Sequence, residues 1–120
     1  MSDTPTHKGS CHCGAVAFEA DLDLSHIIEC NCTHCYRKGL MLGFVSPDAF
    51  RLIRGEDRLS EYLFNRHVIS HRFCRVCGVE PFGTGKAPDG RDMIAVNVRT
   101  LDDVELWSIE TTRFDGLHKV

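Results

Sequence analysis

Cys74-Arg75-Val76-Cys77-Gly78 is the stretch on which the reading of this chain turns. Two cysteines three apart, closed by a glycine, form a tight turn around a metal ion. Gly78 takes a positive φ in such a turn, and backbone N–H groups point at the sulfurs. The other ligands must come from elsewhere in the chain. Working outward, the seven cysteines fall in three clusters with none left over: Cys11-His12-Cys13, Cys30-Asn31-Cys32-Thr33-His34-Cys35, and the knuckle itself. Two plus two gives a closed four-thiolate site. The remaining three give a set with one position open, which for zinc separates a catalytic ion from a structural one.

Along a strand, residues two apart point to the same face, so Cys11 and Cys13 present both sulfurs to one ion if the chain is extended there. A pair at that spacing is also poorly placed to bond to itself as a disulfide. Pairing Cys11 and Cys13 with Cys74 and Cys77 makes a structural zinc site with Zn–S near ~2.3 Å. It ties the first cluster to a turn roughly sixty residues away, so its effect on the unfolded chain resembles that of a disulfide closing a long loop. Lys8, Arg75 and backbone N–H donors are at hand to offset the excess negative charge of four thiolates around one Zn²⁺.

The middle cluster places three thiols close together in sequence. Cys30 and Cys32 share a face if residues 27–32 are extended, and Thr33-His34 turns the chain so that Cys35 folds back. Three thiolates leave zinc one ligand short, a position for water, a substrate thiol or His34. A thiol is the apt visitor, because it loses its proton on binding and is nucleophilic near neutral pH. The anionic trio acidifies water less than three neutral histidines do, which favours thiol chemistry over hydrolysis. Two other readings stand beside this one: a second structural site closed by His34 or His71, and a metal-free set of buried thiols.

Composition narrows the context. At 120 residues, 42% of them hydrophobic, one domain is expected, with residues 1–7 a flexible N-terminus and 8–120 a single zinc domain. The net charge of −3 gives no general attraction to nucleic acid or to an anionic membrane. Met1 to Lys8 lacks the apolar stretch of a signal peptide, and nothing reaches the length of a membrane-spanning helix. A cytoplasmic location is therefore expected, where thiols stay reduced; this and the odd cysteine count disfavour a disulfide framework.

The rest of the chain reads as short strands between turns. Strands are expected at Ala15–Ala20, Ile27–Cys30, Met41–Val45, Arg51–Arg54, Leu59–Phe64, His67–Phe73, Met93–Val98 and Val104–Ile109, with a helical turn at Leu101–Asp103. Ala87-Pro88-Asp89-Gly90 is a strong turn signal. No window sustains a long helical period. The class is mainly β, two packed antiparallel sheets.

With these motifs assembled, the chain resembles the glutathione-dependent formaldehyde-activating (GFA) family, which includes the centromere protein V domain. The matching stretches are Gly9–Val16, Cys30–Arg37, His71–Gly78 and Phe114-Asp115-Gly116. The resemblance implies a β-tent fold related to a small zinc-containing exchange factor for Rab GTPases. It implies Cys11, Cys13, Cys74 and Cys77 as structural zinc ligands, and Cys30, Cys32 and Cys35 as ligands of a second, catalytic zinc, two ions per chain. The activity it implies is addition of glutathione to formaldehyde, reversibly, as a carbon–sulfur lyase of the S-(hydroxymethyl)glutathione synthase type.

Other side chains carry weaker signals. His34, nearest the open position, is a candidate proton carrier, and a solvent-exposed turn histidine is the alternative. His71 packs under the knuckle or donates to a sulfur. Arg37 offers a two-pronged contact to a carboxylate, with plain surface placement as its default. Phe73, Phe82, Trp107 and Phe114 are expected in core or wall, and Phe82 and Tyr36 are the first choices should an aromatic line the open site. Two functions follow: an enzyme taking a small thiol and an aldehyde as partners, or a non-catalytic zinc-binding interaction module.

Overall fold

Ala17-Phe18-Glu19-Ala20-Asp21 alternates buried and half-exposed side chains, the signature of a strand with one face on a core. Its inward residues, Phe18 and Ala20, meet apolar side chains from a second sheet. The computed structural model describes residues 4–64, 69–87 and 89–114. The chain forms β1 (Thr6–Ser10), β2 (Ala17–Asp21), β3 (Ile27–Cys30), α1 (Thr33–Lys38), β4 (Leu42–Val45), β5 (Phe50–Arg54), β6 (Leu59–Phe64), β7 (Ile69–Cys74), β8 (Phe82–Lys86), β9 (Asp92–Asn97) and β10 (Thr111–Phe114).

These make two sheets, in the orders β1-β2-β5 and β10-β3-β4-β9-β8-β7-β6. The mainly β, two-sheet expectation holds, with one difference: β10 runs parallel to β3, setting Phe114 beside Cys30. Every other pair is antiparallel. Phe50 joins the sheets. Its ring stacks on Phe18 at 5.4 Å between centroids and meets Phe82 of the larger sheet at 4.6 Å. Leu22, Ile27, Met41, Val45, Ile94, Val96 and Val98 complete the core.

Several expected boundaries move, each for a local reason. Chain order starts earlier than expected: Thr6 and His7 lie in β1, where Thr6 Oγ1 donates to Asp21 Oδ1 at 2.6 Å and His7 is buried beside Asp103. Cys11 and Cys13 are not on a strand. β1 stops at Ser10, and Cys11 N–H bonds the Val16 carbonyl at 3.0 Å to close a loop. Thr33-His34 opens a six-residue helix rather than a simple turn. The Cys32 sulfur accepts from Cys35 N–H at its start, and Gly39 ends it by donating to the Cys35 carbonyl.

Val104–Ile109 is not a strand. Ser108 N–H and Ile109 N–H turn back to the Glu105 and Leu106 carbonyls, so a tight helical turn spans Leu106–Ser108. The turn expected at Leu101–Asp103 sits earlier, at Val98–Thr100, where the Asn97 side chain accepts from Arg99 N–H. Leu101 instead bridges to Gly9. The start of the His67–Phe73 strand, Pro88 of the turn signal, and Asp115-Gly116 lie outside the described residues.

Gly9 is where the smaller sheet meets this bridge. A Cβ there would stand 2.5 Å from the Phe18 ring and 2.7 Å from the Thr100 carbonyl oxygen. Gly9→Ala is expected to cost about 1–3 kcal/mol through overpacking, read as a lower urea midpoint at unchanged slope.

Across β2 and β5, Arg51 bonds Asp21 at 3.0 Å and Glu19 at 3.3 Å. The Arg51 contact, then Thr6, holds the Asp21 carboxyl below its ordinary 3.8. A depressed carboxylate contributes stability above its unfolded pKa and loses it as pH falls through the folded one. Asp21 is thus expected to titrate below 3.8 by NMR and to return toward that value in Arg51→Ala. The gain in stability is small, because the pair is exposed to solvent.

Candidate metal centres

The first cysteine set is built where the two sheets approach each other. Cys74 ends β7, and the turn after it is fixed by Gly78 N–H on the Cys74 carbonyl (2.7 Å) and Cys74 N–H on the Val79 carbonyl (2.9 Å). Gly78 has φ of 83°, as the knuckle requires. The N–H groups of Val76 and Cys77 reach the Cys74 sulfur at 3.4 and 3.5 Å. Across the gap, Val16 N–H donates to Cys11 Sγ at 3.3 Å. The Cys11–Cys13 and Cys13–Cys74 sulfurs are 3.7 Å apart, and all four lie within 4.8 Å of one another. Tetrahedral zinc with Zn–S of ~2.3 Å puts neighbouring sulfurs about 3.8 Å apart. The residues present therefore fit a zinc ion, and Val16, Leu52, Leu59 and Val79 pack around the sulfurs.

Local N–H groups sort the ionisation of this set. Burial opposes the Cys77 thiolate, yet N–H donors of Val79 and Cys13 and bonds from Cys74 and Cys11 carry it down to about 6. Cys74 is also held low: burial opposes its thiolate, but the N–H groups of Cys77 and Val76 outweigh it. Cys13 is pushed up to about 11. The Ala15 N–H favours its thiolate, and burial together with bonds to the three neighbouring sulfurs overcomes that. Four clustered sulfurs cannot all carry charge without a cation among them.

The second set is assembled at one end of α1. Cys30 ends β3, Cys32 caps the helix and Cys35 lies on it. Cys32 N–H points at the Cys30 sulfur and Cys35 N–H at the Cys32 sulfur, both at 3.4 Å. The three sulfurs lie within 4.8 Å of one another, with Leu40, Leu42 and Ala95 packed against them. Burial, and then the neighbouring thiols, push Cys35 far up; burial also raises Cys30 against the Cys32 N–H. As free thiols these two hold their protons at neutral pH, so a metal ion entering here must displace them.

Cys30 and Cys35 open onto a cavity of about 480 Å³ walled by Tyr36, Arg99, Arg113 and Phe114. Tyr36 lines it as expected. Phe82 does not, being a buried core residue packed on Phe50. Trp107 is 87% exposed and belongs to neither core nor wall. Arg37 lies across the helix from the thiols, with its guanidinium on the Thr33 carbonyl at 3.2 Å.

His34 is not a solvent-exposed turn residue and is not grouped with the three thiols. Its ring faces the other side of α1, stacked between Tyr62 (5.5 Å) and His71 (3.8 Å). His71 does not donate to a knuckle sulfur among the bonds described; its Nδ1 pairs with Glu80 at 2.8 Å. Sequence reasoning passed over Arg99, Arg113 and Glu80. No motif marks the two arginines, which reach the cavity only through the β4–β9 and β3–β10 pairings. Glu80 carries no motif of its own either.

A mainly β domain with a four-thiol cluster between its sheets and a three-thiol cluster beneath a cavity defines a class of small thiol-rich proteins whose cysteine sets are able to hold metal ions. The chain belongs to the glutathione-dependent formaldehyde-activating enzyme family, which it matches over residues 6–115. A solved protein of Rhodobacter sphaeroides is similar, at 31% identity and a TM-score of 0.76, covering 88% of this chain and 99% of its own. All seven cysteines are free of disulfides. No described helix is long and apolar enough to cross a membrane.

Zinc uptake by the middle cluster at neutral pH is expected to release at least two protons per ion, from Cys30 and Cys35. Calorimetry in buffers of different ionisation enthalpy measures this number directly.

Proposed function

We propose that this protein is a zinc-dependent carbon–sulfur lyase that adds a small anionic thiol, glutathione or a close relative, reversibly to a small aldehyde such as formaldehyde. The observation that carries this reading is the placement of an open three-thiol cluster at the foot of a cavity walled by two arginines. Cys30, Cys32 and Cys35 hold the catalytic ion, while Cys11, Cys13, Cys74 and Cys77 hold a structural one. Zinc at the trio would supply a Lewis-acid position that keeps a bound thiol deprotonated near neutral pH.

The chain's own residues do the rest. Arg99 and Arg113 line the cavity as two cations against the single carboxylate of Glu29, a balance suited to a thiol bearing more than one carboxylate. Tyr36 and Phe114 offer flat walls that narrow the approach to the sulfurs. The thiol sulfur forms a bond to the carbonyl carbon, the C=O π pair moves to oxygen, and the thiol's proton ends on that oxygen as a hydroxyl. The reverse reaction breaks the C–S bond and returns both reactants. His34, on the far side of α1, is a poor candidate to carry that proton, which leaves solvent in the cavity as its route.

Metal analysis of the purified chain is expected to give about two zinc per chain, the ion at the trio leaving first to a chelator. The zinc-loaded protein should speed equilibration of glutathione with formaldehyde, followed by exchange NMR. Cys32→Ser should abolish that rate, and Arg99→Ala or Arg113→Ala should each lower kcat/KM about tenfold or more, the scale of one lost charge-assisted contact. Equilibration no faster than in buffer would instead favour a non-catalytic zinc-binding module.

A further inference from the structure

Three side chains that neither cysteine set uses converge on the far side of α1. His71 comes from β7, three residues before Cys74. Glu80 follows the knuckle, three residues after Cys77, and His34 directly precedes Cys35. Their donor atoms all lie within 4.8 Å of one another. His71 Nδ1 is 2.8 Å from Glu80 Oε2, and His34 Nε2 is 3.7 Å from Glu80 Oε1. Nitrogen and oxygen ligands about 2.0–2.1 Å from an ion stand roughly 2.9–3.4 Å apart, and the two observed separations bracket that range.

Glu80 is the informative member. Its side chain is 2% exposed, and Oε1 accepts no hydrogen bond among the described residues. The chain holds it firmly, because its carbonyl accepts from Asn97 Nδ2 at 2.9 Å. A buried carboxylate oxygen left this way is costly unless a cation meets it. Among the described residues Lys38 is the nearby cation, but its ammonium stands 3.5 Å from Oε1, outside the ~2.7–2.9 Å of a charge-assisted bond. Lys38 is 32% exposed, its ammonium sits 4.9 Å from the Phe73 ring centre, and it borders a cavity of about 640 Å³. It has room to withdraw, whereas Glu80 and His71 do not.

We infer that His34, His71 and Glu80 form a third metal site, for a divalent transition ion, with Lys38 giving way when the ion enters. Two imidazoles and one carboxylate suit zinc, cobalt(II), nickel(II) or iron(II). The donor set differs from the all-sulfur clusters on either side. An ion held here joins α1, which carries Cys32 and Cys35, to the turn that follows the four-cysteine knuckle. The site stands independently of the thiol chemistry proposed above.

Cobalt(II) tests it on the full chain stripped of metal and reloaded with only two equivalents of zinc, which the thiolate sites take in preference to cobalt and to the mixed nitrogen–oxygen set. The expected result is one further cobalt per chain with weak visible bands and no near-ultraviolet thiolate-to-cobalt charge transfer. Glu80→Gln should weaken that uptake at least about tenfold, and Lys38→Met should tighten it, both with the original zinc content retained. Should Glu80→Gln misfold, His71→Asn answers the same question. Uptake that brings the thiolate band, uptake that Glu80→Gln leaves unchanged, or no further uptake by either wild type or Lys38→Met would each overturn the assignment.

Discussion

Four sulfurs drawn together between two sheets are the constraint on which the molecule depends. Cys11 and Cys13 ride on the tip of the β1–β2 hairpin, and Cys74 and Cys77 on the turn after β7. Neither piece is fixed by the other through backbone pairing. Phe50 and its aromatic partners supply apolar attachment at one place, the Gly9–Leu101 bridge holds a second, and the thiol cluster supplies a third. Separate attachments define an orientation where one would leave a pivot. The surrounding N–H groups favour charge on Cys77 and Cys74, while Cys13 resists it, so full closure of the cluster is tied to a cation.

The helix that carries the open site divides the molecule's chemistry. Cys32 and Cys35 pack with Leu40 and Leu42, and Cys35 also lines the cavity; His34 and Lys38 face Tyr62, Phe73 and Glu80. Six residues are too few for a helix to be stable on its own. This one is held by a sulfur at its start, a glycine at its end and side chains on both flanks. Substitutions on either flank therefore reach the other through the helix they share.

Much of this was legible in the chain, and the illegible part has a common cause. The knuckle and its glycine could be read because Cys-x-x-Cys-Gly is a local device whose geometry is complete within five residues. Strands with clear alternation, such as Leu59–Phe64, were placed correctly. The helix at Thr33 was missed because a sulfur cap and six residues leave no periodic trace. Val104–Ile109 misled because apolar residues that pack against a core look the same whether the backbone pairs or coils. Arg99, Arg113 and Glu80 gave no sign, since each reaches its site through tertiary structure and through no spacing of its own.

The parallel pairing of β10 with β3 has a consequence for how the protein is made. Every cysteine lies at or before residue 77, so both sulfur sets are complete in sequence well ahead of β10. Arg113 and Phe114 arrive afterwards, on a strand that adds to the sheet edge beside Cys30. The two sulfur sets can thus gather before the last strand walls the cavity over the trio.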